Sequence, residues 1–284
     1  MYFYWLIKEE YIMKRLFAFA VVLVMVLGVC SFSQADPASR LDLIREKGKL
    51  VVGTEAQYAP YEFKDLNAEF AGCDMWLAQQ IADEIGVTLE VVDMSFAGII
   101  PAVQSNQVDI GIAAFTRTDE RAEVIDFSDL YETSLQYLIV KKGNEELYSN
   151  ADALAGLKVG AQRGTVQSQL ITKVFVNSEL FELEKYPALA LEVQNGNIAG
   201  LVADAAVGQS LVDTSNGALA VSNYAFTAEE ASFGKACVVR KSDAEYDNTA
   251  FLEVVNAVIK RVVEDGSYTR VYDEAKELAA SMGL

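Results

Sequence analysis

The amino-acid sequence predicts a two-lobed α/β protein, each lobe a largely parallel sheet flanked by helices. From Lys49 onward, short β-branched runs alternate with helical patterns, which is the βαβ rhythm of parallel strands covered by helices. That rhythm occurs in two sets, with no repeat, low-complexity tract or flexible linker between them. The composition, 52% hydrophobic and 23% charged over 284 residues, supplies sizeable cores for one or two ordinary domains.

Taken in order, the chain opens with Lys14 and Arg15 before an apolar stretch from Leu16 to Val29. Ser33-Gln34-Ala35 then supplies the small residues a signal peptidase accepts. Residues 1–35 read as a secretory signal, with Met13 the better-formed start. The apolar stretch is too short to span a bilayer, and no later segment approaches the roughly 18 to 20 apolar residues a span needs, so the mature chain is expected to be soluble. Leu27-Gly28-Val29-Cys30 resembles a lipoprotein cleavage box, but Val29 stands where a small residue is wanted, so anchoring through Cys30 is the lesser alternative to a free periplasmic protein.

LVVGTE (Leu50 to Glu55) is the first strand. Asp74 suits a helix cap, Leu77, Ile81 and Ile85 recur on one face, and Gly86 stops that helix before the strand VTLEVVD. A helix around Pro101 and the strand VDIGIAA complete the first set. The long apolar strand SLQYLIVKK (Ser134 to Lys142), free of proline, suits a crossing between lobes. The second set runs as strand LKVGAQ, helix from Thr165, helix from Pro187, strand IAGLVA, helix after Asp204 and strand KACVVR, with two amphipathic helices at the end. The expected division is lobe 1 over 36–135 and 230–284 and lobe 2 over 136–229.

A formal net charge of −18 repels nucleic acid and anionic lipid. The absence of histidine removes Ser-His-Asp and Cys-His nucleophiles, His-ligated zinc and His general bases, so no catalytic residue, metal or cofactor is expected. Cys73 and Cys237, the two cysteines beyond the signal, are either a disulfide or two buried thiols.

In open parallel sheets, ligands sit beyond the carboxyl ends of strands, where loops and helix N-termini meet. That rule selects Glu55 to Tyr61, Ala113 to Arg121 (with Ala114 and Thr116 as candidate contacts), Gln162 to Gln167, and Asp204. In TRTDER, Thr118 sits at an N-cap with Arg121 three residues on. Arg121 is then either neutralised at the surface by Asp119 or Glu120, or a guanidinium gripping a carboxylate with help from the Thr116 hydroxyl. RGTVQ starts a helix whose Thr165 and Val166 amides suit an anion. Asp204 either accepts from an ammonium or caps the next helix. Tyr58, Tyr61 and Phe96 follow strands, as lids over the core or as walls of a pocket for flat or cationic groups.

The segments GTEAQYAPYEF, AGCDMWLAQQIADEIG, FAGIIPAVQSNQVDIGIAAFTRTDERAEVIDFSDLY, VGAQRGTVQ and GKACVVRKSD together resemble the extracellular solute-binding proteins of polar amino-acid ABC transporters, bacterial family 3. The likeness spans Leu41 to Leu284. It implies a type II periplasmic-binding-protein fold with two hinge strands, a free amino acid as ligand, a membrane permease as partner, and a monomer that closes on its ligand. It also implies residue roles: Arg121 for the α-carboxylate with Thr116 and the amides near Thr165 and Val166, Asp204 for the α-ammonium, Tyr58 and Phe96 as a sandwich, and Glu55 and Gln162 at the polar end. Cys73 in place of the usual Phe, Asp119 for Pro, and Ala199-Gly200 for Asp-Ala depart from the pattern and bear on lobe packing.

Glu55 beside Tyr58 and Phe96 suits a cationic side chain, which puts arginine or lysine first and glutamine next. The competing expectation from another class is an enzyme similar to the periplasmic cyclohexadienyl dehydratases, with Glu55 as the acid. A sensory domain on the same scaffold is the third.

Overall fold

The computed structural model describes residues 37–227, 230 and 232–284, so the signal segment 1–35, Met13 and Cys30 lie outside it. The chain opens with β1 (Ala38–Ser39), α1 (Arg40–Lys47), β2 (Lys49–Thr54), β3 (Gln57–Tyr58), β4 (Glu62–Lys64), β5 (Phe70–Ala71), α2 (Cys73–Ile85), β6 (Thr88–Asp93) and α3 (Phe96–Gln104). It continues with β7 (Ile110–Thr116), α4 (Asp119–Ala122), β8 (Ile125–Phe127), β9 (Glu132–Ser134), β10 (Gln136–Lys141), β11 (Lys158–Gln162), α5 (Val166–Val174), β12 (Glu179–Leu183) and α6 (Tyr186–Asn195). The last elements are β13 (Gly200–Asp204), α7 (Ala205–Asp213), β14 (Leu219–Val221), β15 (Phe233–Arg240), β16 (Tyr246–Asp247), α8 (Thr249–Glu264) and α9 (Ser267–Met282).

Two sheets organise these elements. The first has the order β6-β2-β7-β15-β8, with β9 also on β15. The second has the order β12-β11-β13-β10-β14. Each has a parallel core of three strands, β6-β2-β7 and β12-β11-β13, extended by antiparallel strands. The antiparallel members include the crossing segments. β9 belongs to the first sheet and β10, two residues later, to the second. The return runs from β14 to β15.

Local sequence explains most boundaries. Gly86 closes α2 in the left-handed conformation at φ 83°, where its amide returns to Ala82 and Asp83. The residues α2 turns inward, Leu77, Ala78, Ile81 and Ile85, recur at helical spacing and meet Val255 and Ile259 of α8 in the core of the first lobe. Asp74 does not cap that helix. Gly72 is the N-cap, and the fully buried Asp74 carboxylate accepts instead from the Ala114 amide and the Tyr131 and Tyr268 hydroxyls. Thr118 does cap α4, accepting from the Arg121 amide. Cys73 and Cys237 are both free and buried, so of the two readings the thiols stand. No helix among the described residues is long and apolar enough to cross a membrane.

Candidate functional site

The carboxyl ends of β2, β7, β11 and β13 face one another across a shared cavity. Ten of the eleven expected residues line it: Glu55, Tyr58, Phe96, Ala114, Thr116, Arg121, Gln162, Thr165, Val166 and Asp204. Tyr61 does not. It lies fully buried behind Tyr58, stacked on that ring at 5.6 Å, with its hydroxyl on Glu132 at 3.2 Å.

At the cation side, Arg121 leaves α4 and lies 5.5 Å from the ring centres of both Phe96 and Phe115, which stack at 4.6 Å. Cation–π attraction and that aromatic floor orient the fork. Its Nη1 donates to the Thr116 carbonyl at 2.6 Å, and its Nη2 reaches across the cleft to the Gly164 carbonyl at 2.8 Å. Asp119 and Glu120 do not neutralise it by a salt bridge. Burial lowers its pKa to about 10, with Glu120 pulling weakly the other way, and the group stays charged at neutral pH.

Beside it begins α5. Gly164 turns the chain at φ 77°, and Thr165, in extended conformation, is the N-cap. The Thr165 hydroxyl donates to the Gln162 carbonyl at 2.7 Å and so does not cap the helix itself. The N-terminal amides of α5 are left for an anion, next to a guanidinium.

Glu55 follows β2 and is 1% exposed. Its Oε2 accepts from Gln162 Nε2 at 3.2 Å, Lys185 Nζ stands 3.9 Å from Oε1, and Oε1 has no hydrogen-bond partner. Burial raises this carboxyl to about 7, against the smaller pull of Gln162 and Lys185. Gln162 also donates to the Glu184 carbonyl at 2.8 Å, so its amide protons are both engaged.

Asp204 closes β13, and of its two sequence readings the acceptor from an ammonium stands, with Lys235 of the chain itself as the donor. Its side chain does not cap α7, and it does not present an empty carboxylate. Ser134, Gln136, Tyr58 and Lys235 all donate to it, and Gln167 in turn donates to Gln136 at 2.8 Å. Burial pushes its pKa up, and the Lys235 ammonium and the hydroxyls of Ser134 and Tyr58 more than offset that, holding it below the usual range. Ala114 is similarly committed: at φ 47° its amide points inward to Asp74 at 2.8 Å rather than into the cavity.

Ala113 and Gln167, at the ends of two segments selected from the sequence, also line the cavity, and two further lining residues, Glu62 and Lys235, lie outside those segments. Both sit inside the stretches that carry the family likeness. Lys235 opens an apolar strand, which signals a buried lysine without naming its partner. Glu62 is 1% exposed, and its Oε2 has no partner. Among the described residues no cluster of His, Cys, Asp or Glu could hold a metal ion.

Two βαβ lobes joined by paired crossing strands and shut on a polar cavity make this a cleft-binding protein. The family model for bacterial extracellular solute-binding proteins, family 3, matches residues 50–275, and the chain belongs to that family. It is similar to the L-cystine-binding protein TcyJ of Escherichia coli K12, at 30% identity over 87% of this chain and 89% of that protein. It is also similar to the crystal structure of the amino acid ABC transporter substrate-binding protein AbpA of Streptococcus pneumoniae bound to L-arginine. That match has 31% identity, TM-score 0.79, and 84% and 99% of the two chains covered. A third likeness, with 31% identity, TM-score 0.74, and 82% and 98% coverage, is to an ancestral amino-acid-binding protein described as a precursor of cyclohexadienyl dehydratase. The family and these relatives are non-enzymatic solute-binding proteins, and the dehydratase precursor too is named for binding.

Proposed function

We propose that the chain captures a free polar or basic amino acid outside the cytoplasmic membrane, as a monomer, and hands it to the membrane permease of an ABC transporter. The observation that carries this is the joint placement, in one closed cavity, of a half-satisfied guanidinium fork with uncapped helix amides and of a buried carboxylate oxygen with no partner. The ligand's carboxylate belongs with Arg121 and the amides of α5. Its polar or cationic end belongs with Glu55, beside Tyr58 and Phe96. That favours arginine or lysine, then glutamine, in keeping with relatives named for arginine and for cystine.

Closure is driven by contacts that exist only when both lobes meet the ligand, which favours the closed state by differential binding. The moving bodies are lobe 1, 36–135 with 230–284, and lobe 2, 136–229. Charge-assisted hydrogen bonds contribute about 1.5 to 3 kcal/mol each, so two or three give micromolar or tighter affinity after the cost of closure.

Calorimetric titration of refolded, ligand-stripped protein with the twenty amino acids tests the reading. One or a few should bind tightly, and Arg121→Ala should weaken them by about 3 kcal/mol, more than roughly a hundredfold. Equal binding by wild type and Arg121→Ala would remove the carboxylate seat from the account.

A further inference from the structure

The floor of the cleft holds a cation of the protein's own. Asp204 and Lys235 are each 1% exposed and form an ion pair inside the ligand cavity. Ser134 and Gln136 donate to one oxygen of Asp204, Tyr58 and Lys235 to the other. A carboxylate offers about four lone-pair positions, so the chain itself fills them.

Lys235 is not a surface side chain folded in by chance. It rises from β15, opposite Thr116 of β7 on one side and Glu132 of β9 on the other, where the chain has just returned from the second lobe. Its ammonium lies 5.7 Å from the centre of the Tyr61 ring, between that aromatic wall and Asp204. In the closed cavity, an amino acid with its α-ammonium toward Asp204 meets a saturated acceptor and a like charge in a buried site, where Coulomb repulsion is little screened.

Glu62, whose Oε2 has no partner, lines the same cavity; burial, then the neighbouring acids Asp74 and Glu55, push its carboxyl well above the usual range, and Lys235 pulls it down. Oε1 of Glu55 is likewise an open acceptor.

We propose that Lys235 is a resident ammonium standing where a ligand's α-ammonium would go, and that the cleft therefore selects ω-amino or ω-guanidino carboxylic acids. Their carboxylate goes to Arg121 and their only cation to Glu55. This rests on the assignment of carboxylate and cationic end made above and alters the α position alone. Lys235 is then the residue that determines specificity, with spare N–H donors left for an acceptor atom of the ligand.

The test is calorimetric titration of the refolded full chain, wild type and Lys235→Met, with two matched pairs: lysine and 6-aminohexanoate, arginine and 5-guanidinopentanoate. Wild type is expected to bind the member without the α-ammonium about tenfold more tightly or better. Lys235→Met, which exposes Asp204, is expected to reverse that order. Lysine and arginine binding wild type as tightly as their counterparts would overturn the proposal and leave amino-acid capture standing. No binding of either pair or of any of the twenty amino acids would overturn both.

Should Lys235→Met fail to fold with Asp204 left unpaired, the double variant Lys235→Met/Asp204→Asn removes both charges. Discrimination within each pair should then shrink to about threefold or less. A wild-type preference that persists undiminished in the double variant would show that Lys235 is not its source.

Discussion

Glu55 sits at the balance point of its own titration. Burial is the largest influence and raises its carboxyl to about 7. Gln162 and Lys185 act against that, and Asp93 with it. A cationic ligand end binds the ionised form, so affinity for a basic ligand should rise with pH through about 7 and level off above it. Glu55→Gln should flatten the profile and lower the plateau by about tenfold, read by titration between pH 5.5 and 8.5. A wild-type profile as flat as the variant's would take Glu55 out of the site. At this scale the sequence was most informative where a side chain's role follows from its neighbours along the chain. The Thr118 cap fixes where α4 begins, and with it where Arg121 projects. Lys235 was not legible that way, because its partner Asp204 lies on another sheet and the two meet only when the lobes do. Asp74 misled for the same reason: a carboxylate two residues past a glycine reads as a cap, whereas its acceptors are claimed by β7 and by tyrosines distant in sequence.

Gly164 shows how an element's end can govern the cleft. Its φ of 77° is costly for any side chain, and a Cβ there would sit 3.2 Å from the Cβ of Ala97 on α3, on the facing lobe. Gly164→Ala should therefore act twice. The left-handed backbone should cost the ligand-free protein about 1 kcal/mol, and the contact made on closure should lower ligand affinity by about tenfold, a pair of readings from urea titration and calorimetry. A large loss of ligand-free stability with unchanged affinity would place the strain inside the second lobe instead. Elements with strong periodicity, such as α2 and the buried strand β7, were visible in the sequence within a residue or two. β12 was not, since ELFEL is only half-buried and its acids, Glu179 and Glu182, stand three apart and break the two-residue period of a strand. The β3-β4-β5 sheet, with strands of two or three residues, is too short for any period to register, yet it places Tyr58 and Glu62 in register against each other at the cavity.

The whole molecule buries an unusual concentration of acid on one side of the cleft. Glu55, Glu62, Asp74 and Glu132 all have carboxyls raised by burial, Glu55 and Glu132 to about 7. A raised folded-state value means that the native chain holds protons the unfolded chain releases. The contribution of Glu55 and Glu132 to stability is therefore fully present below about 4.5 and is lost as the pH rises through about 7. Ligand-free protein should be more stable to urea at pH 5 than at pH 8, and Glu132→Gln should reduce the difference. Greater stability at pH 8 would mean that the acids are ionised and paired. The two-lobe plan was legible because the βαβ rhythm restarts, but the antiparallel return was not, since nothing in the run Phe233 to Arg240 says between which strands it will lie. That placement bears on how the chain is made. β15 fills an inner position of the first sheet, flanked by β7 and β8, although more than a hundred residues separate it from either. A ribosome releases both flanking strands well before their neighbour exists, so the lobe begun first is finished last, at high contact order and correspondingly slowly. In pulse-labelled hydrogen exchange during refolding, the amides of β11 and β13 should be protected before those of β7, leaving a window in which a partner that prefers unfolded chains can act.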